Sequence, residues 1–190
     1  AENEDTVVRI LAGDIVTSDL ALGGLGQIEN NAHITGKISA YWFNGVPNLR
    51  SFVNNGEVNG VSGNIQDFTN NGVIHPGIHG AAVSLQWENG IVGFQNNGMI
   101  DGDGRALGVS LWSMHNTDVS FSNTGLIEDG SFVYIVPHGE GTIVNVVNNG
   151  TLRQAAENGS ALNVVQSYDW WSGGYGGSSL NLENSGLIEA

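Results

Sequence analysis

The sequence predicts an all-β protein, a parallel β-solenoid with coils of about 25 residues. Three observations predict it. A short phrase built on Asn and Gly recurs seven times along the 190-residue chain. Apolar residues hold fixed places around every copy of the phrase. The segments between copies are short β-branched runs, and none shows a helical period.

The copies are IENNAHI (28–34), FVNNGEV (52–58), FTNNGVI (68–74), FQNNGMI (94–100), FSNTGLI (121–127), VVNNGTL (146–152) and LENSGLI (182–188). Their opening residues are Asn30, Asn54, Asn70, Asn96, Asn123, Asn148 and Asn184, at steps of 24, 16, 26, 27, 25 and 36. Two residues earlier stand Ile28, Phe52, Phe68, Phe94, Phe121, Val146 and Leu182; four residues later stand Ile34, Val58, Ile74, Ile100, Ile127, Leu152 and Ile188. The position two after the Asn is Ala32, then Gly in the remaining copies. A unit of this length cannot enclose a core alone, but coils stacked roughly 4.8 Å apart can. The two apolar columns then line the interior. The Asn column forms a corner where side-chain amides bond from coil to coil. Gly supplies that corner's backbone conformation, because it tolerates positive φ.

Taken in order, the chain opens with a segment, 1–24, whose TVVRILAGDIV stretch (6–16) is strongly β-forming behind an acidic tail. It predicts a strand that caps the solenoid or is donated to a neighbour. KISAYWF (37–43), GAAVSLQW (80–87), RALGVSLW (105–112), SFVYIVP (131–137) and SALNVVQS (160–167) each predict a further strand. The coil between Asn54 and Asn70 is too short to hold that strand in full, so the solenoid should narrow there. Trp42, Trp87 and Trp112 close the strand phrase in three copies; stacked in register they make an aromatic stripe, which either caps the core at a corner or offers a platform to sugar rings. The coil between Asn148 and Asn184 carries SYDWWSGGYGGSS (167–179), a Gly-rich aromatic insertion expected to project from the body. Its Tyr168, Trp170 and Trp171 are candidates for contact with a glycan or a neighbouring subunit. The final copy, LENSGLIEA (182–190), has the full core pattern with no cap after it. Edge-like strands at both ends predict head-to-tail self-assembly into an open filament. If Ala190 is a cut site, the same pattern predicts an adhesin stalk.

Composition narrows the partners. The net charge is −14 with 5 basic residues, which excludes the basic face that nucleic acid or an anionic membrane surface requires. No apolar run approaches the roughly 20 residues that span a bilayer, so no membrane insertion is expected. Without Cys, the fold needs no disulfide. The chain begins Ala1-Glu2-Asn3 with no Met, the form taken by a mature N-terminus after signal cleavage and equally by a trimmed chain.

A polysaccharide-degrading β-helix enzyme would need clustered carboxylates with a cation for the substrate. Arg9, Lys37, Arg50, Arg105 and Arg153 are scattered, and the closest carboxylate pair is Asp101 and Asp103 in DGDGR. There is no Cys nucleophile and no Gly-x-Ser-x-Gly elbow. The sequence therefore predicts no enzyme and no organic cofactor. Asp101 and Asp103, with Glu128 and Asp129 one copy later, form a candidate Ca²⁺ site, since Ca²⁺ takes carboxylate and carbonyl oxygens from tight turns. Of His33, His75, His79, His115 and His138, only His75 and His79 are a local pair, and a third ligand is not apparent. They read as surface residues.

The unit small-Ala-Leu-x-Val … Val-x-Asn-x-Gly-x-Ile resembles repeats of bacterial autotransporter passenger domains and related β-helical adhesins. Phe121-Ser122-Asn123-Thr124-Gly125-Leu126-Ile127, Val147-Asn148-Asn149-Gly150-Thr151-Leu152 and Leu182-Glu183-Asn184-Ser185-Gly186-Leu187-Ile188 carry it. The resemblance covers nearly the whole chain after residue 25. It implies a right-handed solenoid, secretion and display at the bacterial surface, and it implies no single ligand. The chain departs from that family in showing no membrane barrel.

Overall fold

A computed structural model describes residues 6–22, 25–40, 49–76, 81–87, 91–102, 108–113, 118–128, 133–137, 141–154, 160–165, 168–169, 174–175 and 177–189. Every regular element among them is a β-strand. Three parallel sheets run the length of the molecule, each built by strands from successive coils stacking side by side, the architecture of a β-solenoid. The first sheet has eight strands and includes Leu49–Asn54, Ile65–Asn70, Ile91–Asn96, Asp118–Asn123, Ile143–Asn148 and Ser179–Asn184. The second also has eight, short ones such as Glu57–Asn59, Val73–His75, Met99–Asp101 and Leu126–Glu128. The third has seven, among them Val61–Gly63, Val83–Trp87, Val109–Ser113 and Val133–Val136.

Register follows the repeat. Phe52, Phe68, Phe94 and Phe121 are successive partners in the first sheet, as are Asn54, Asn70, Asn96 and Asn123. The phenylalanine rings stack at centroid distances of 5.5, 5.1 and 5.0 Å, nearly parallel by the third pair. Ile74, Ile100 and Ile127 form the matching column of the second sheet, and Val83, Val109 and Val133 that of the third. All of these are buried in one continuous apolar core. Strands alternate inward and outward, although Ser39 and Ser110, at outward positions of the third sheet, are buried as well.

Two expectations are corrected here. The 16-residue coil between Asn54 and Asn70 is not short of a strand. Glu57–Asn59, Val61–Gly63 and Ile65–Asn70 contribute to all three sheets, separated by the single residues Gly60 and Asn64. Gly60 and Gly63 make that economy possible, with φ of 95° and 126°, a region L side chains rarely adopt. This coil is the bare unit, and the longer coils add loops to it.

The second correction concerns the Gly of the Asn corner. Among the described residues, positive φ occurs at Gly13, Gly60, Gly63 and Gly141, not in the repeated corner. The corner needs Gly for close approach. A Cβ at Gly98 would collide with the Gly72 carbonyl oxygen of the coil before it, and Gly72 and Gly125 meet the same obstruction. That oxygen accepts the backbone N–H of Met99 at 2.9 Å, so the coils cannot move apart to admit a side chain without losing the bond.

The described part of segment 1–24 forms a full first coil on its own chain. Val7–Ile10 pairs with Leu25–Asn30, Ile15–Val16 with His33–Ile34 and Leu20–Leu22 with Ile38–Ala40. Ile10 stands where later coils have Asn, opposite Asn30. The insertion 167–179 holds a small antiparallel ribbon, Tyr168–Asp169 paired with Gly174–Tyr175, rather than a loop alone.

Candidate functional site

The Asn corner carries a buried polar ladder along the molecule. Asn30, Asn54, Asn70, Asn96, Asn123 and Asn148 are all 0% exposed. Each donates its Nδ2 to the Oδ1 of the next at 2.8 Å, ending on Asn184. Asn70 shows the complete pattern: its Nδ2 also donates to the Gly72 carbonyl at 3.2 Å and the Met99 carbonyl at 3.1 Å. Burying an amide costs little when its bonds are made and about 1–3 kcal/mol when one is left open. The ladder is directional. Below it, Asn30 Oδ1 accepts the Ala32 N–H at 3.0 Å, so Ile10 leaves no acceptor open. Above it, the exposed Asn184 donates to the Gly186 carbonyl at 3.2 Å and meets no further Asn.

The next residue of each corner builds a second, exposed ladder that runs the other way. Asn55 donates to Asn31 at 2.9 Å, Asn71 to Asn55 at 2.9 Å, Asn97 to Asn71 at 2.8 Å, and the Thr124 hydroxyl to Asn97 at 2.9 Å. This ladder was legible in the Asn-Asn pairs and the sequence reading passed over it.

Outside the second sheet lies a file of charges. The Glu57 carboxylate sits between two imidazoles, 2.7 Å from His33 Nδ1 and 2.9 Å from His75 Nε2. The bond to His33 is the largest influence and holds Glu57 below the usual carboxylate range; burial opposes it, and the bond to His75 adds to the lowering. His75 Nδ1 lies 3.7 Å from Asp101. Further along, Arg153 bonds Glu189 at 3.0 Å and Glu128 at 3.3 Å, and Glu189 above all pushes the guanidinium pKa up. His75, Asp101, Glu128, Arg153 and Glu189 all stand five residues after a ladder Asn. The repeat register therefore contained this file.

Of the four Ca²⁺ candidates, Asp101 and Glu128 are direct register partners on adjacent coils. Glu128 is engaged by Arg153, and Asp103 and Asp129 lie outside the described residues. Among the described residues, no group of three or more His, Asp or Glu side chains is placed to hold a metal ion. Of the glycan candidates, Tyr168 belongs to the antiparallel ribbon, while Trp170 and Trp171 lie outside the described residues.

The aromatic stripe is corrected by register. Trp112 pairs with Gln86, and Trp87 pairs with Ser113, so the two stand one residue out of step in the sheet register. Trp42 lies outside the described residues. Trp112 instead meets Tyr134 edge-on at 5.9 Å and donates its Nε1 proton to Ser110 Oγ at 2.8 Å.

On the outer face of the first sheet there is a trough of about 190 Å³ lined by Asp67, Thr69, Gly93, Gln95, Ser120 and Ser122. Asp67, Gly93 and Ser120 are successive partners, as are Thr69, Gln95 and Ser122. The trough is the gap that Gly93 leaves in one of two polar columns.

The last strands form the fourth feature. Leu180 and Leu182 are each 49% exposed and Ile188 is 37% exposed, although their counterparts in earlier coils are buried. Comparison with known protein families, curated proteins and solved structures returns no match for this chain.

Proposed function

We propose that this chain is an extracellular structural protein of a bacterial cell surface, a right-handed β-solenoid that extends into filaments by head-to-tail stacking. Right-handedness follows the rule for connections between parallel strands. A coil of about 25 residues is supported by four of the six ladder steps, which run from 24 to 27, the other two being 16 and 36. The observation that supports the reading is that every coil offers its neighbour the same stacking register, with apolar columns inside and strand edges parallel.

A second copy offers a complementary surface. Set in the repeat register, its first coil brings Val8 over Leu182, Val16 over Ile188 and Arg9 over Glu183. Arg9 already bonds Glu29 at 2.9 Å from its other side. The one mismatch is Ile10, which gives Asn184 no acceptor and costs about 1–3 kcal/mol at every junction. Filaments should therefore break between subunits rather than within them. The high negative charge disfavours lateral clumping. Catalysis has no part in this reading.

Sedimentation and electron microscopy of the chain test it. Thin filaments are expected, weakened by Arg9→Glu or Glu183→Arg alone and restored by mixing the two variants. A monomer at high concentration would contradict it. The second reading, an adhesin stalk that binds glycan, is favoured by the polar trough at Gly93.

A further inference from the structure

We infer that the trough over Gly93 is a binding subsite for one ring of a neutral glycan; the inference rests on the adhesin reading and is independent of filament formation. It begins with a glycine the backbone does not require. Gly in a strand weakens it, and often marks a place where a ligand or another backbone comes close. In the Asn corner, other backbone fills the space a Cβ would take; at Gly93 the single near atom is the Asp67 Oδ1, at 3.0 Å, and φ is not in the left-handed region. Nothing of the protein's own main chain occupies the space that the missing side chain leaves.

The gap has a defined size. Asp67 and Ser120 flank Gly93 on the coils before and after it, so they stand two coil spacings apart, roughly 10 Å. Thr69, Gln95 and Ser122 form the opposite bank, two residues along the strands, roughly 7 Å away. The Phe68 and Phe94 side chains are buried beneath, so the floor is backbone and the Gly93 α-carbon. At about 190 Å³ the trough falls below the roughly 300–1,000 Å³ of sites that engulf a drug-sized ligand. It suits one unit of a chain lying across the face.

The lining selects the chemistry. Three hydroxyls and a primary amide supply both donors and acceptors, and the Asp67 carboxylate accepts only. A polyhydroxylated ring offers both functions and can present vicinal hydroxyls to Asp67. No lining residue is cationic, so an acidic sugar would meet Asp67 and the net negative charge unrelieved. Strand pairing between the coils of Asp67 and Gly93 begins only at those two residues, so a glycine could ease a local change of strand geometry.

The test uses maltohexaose, mannohexaose and β-1,4-galactohexaose as neutral probes and hexagalacturonate as the acidic one. Binding is followed by calorimetry and by amide shifts in ¹H–¹⁵N spectra. At least one neutral probe should shift Gly93, Gln95 and Ser120, and Gly93→Asn should weaken it at least tenfold with an unchanged melting temperature. Asn145→Ala, on the same face outside the trough, should bind as the native chain does. Four results would overturn the inference: no shift at Gly93 with any neutral probe, Gly93→Asn binding unimpaired, hexagalacturonate binding as tightly, or Gly93→Asn melting several degrees lower. The last would assign Gly93 to strand geometry. None of these bears on sedimentation, so the stacking proposal stands or falls separately.

Discussion

Each coil turns three corners, and they are built on different terms. The corner between the first and second sheets is two residues long in every copy from Asn31-Ala32 to Ser185-Gly186. The corner between the third and first sheets is the single residue Asn64 in one coil and the stretch 165–178, with its antiparallel ribbon, in another. The constant corner is closed from both sides. Inside, the buried amide ladder fixes the spacing of the coils; outside, the carbonyl of one Gly fills the place of a side chain on the next. Among the described residues the variable corner shows no such ladder, and loop length costs little in closure entropy. The solenoid keeps its precision at one corner and its freedom to vary at another.

The largest effect should come from breaking the ladder. Asn96→Ala removes the acceptor of Asn70 and the donor to Asn123. Two buried groups orphaned at about 1–3 kcal/mol each predict a loss of about 4 kcal/mol in urea denaturation. Asn97→Ala, in the exposed ladder beside it, should stay within about 0.5 kcal/mol. Equal losses would mean that burial does not separate the two ladders.

Next in size is Gly98→Ala, which drives a methyl group into the Gly72 carbonyl. Overpacking of this kind predicts a loss of about 3 kcal/mol, read from the same titration. Four residues inserted at Asn64 should cost only about 1 kcal/mol, since closure entropy grows with the logarithm of loop length. The same insertion between Asn97 and Gly98 should prevent cooperative folding. If both insertions are tolerated, the contrast between corners fails.

The smallest effect is electrostatic and lies on the outside. Glu57 titrates lower in the folded chain than in the unfolded one, chiefly through its bond to His33. Its contribution is therefore present above the ordinary carboxylate range, near 4.5, and is lost as pH falls through the lower folded value. Half-exposed pairs contribute modestly. Native and Glu57→Gln chains should differ slightly in melting temperature at pH 6 and converge toward pH 3.

Much of this was legible in the sequence, because stacked coils turn a repeat into columns. The Asn column and both apolar columns were visible once the copies were aligned. The short coil was misjudged because a three-residue strand such as Val61–Gly63 falls below what hydrophobic periodicity can register, and single-residue corners leave no turn signature. The role of the corner Gly was misjudged for a different reason. Positive φ is a property of one residue, whereas the crowding at Gly98 belongs to two coils. The file from His75 to Glu189 and the gap at Gly93 lay in the register too, but outward positions vary in chemistry, and only their alignment gives them meaning.

A buried amide ladder closes one corner of the coils from Asn30 to Asn184, and side-chain amide exchange measures it directly. The Nδ2 protons of Asn54, Asn70, Asn96 and Asn123 should exchange only through global unfolding, with a common rate. Those of Asn97 in the outer ladder, and of Asn184 at the exposed end of the buried one, should exchange orders of magnitude faster. Rapid exchange at Asn70 and Asn96, equal to that at Asn97, would contradict the ladder and with it the stacking of coils at this corner.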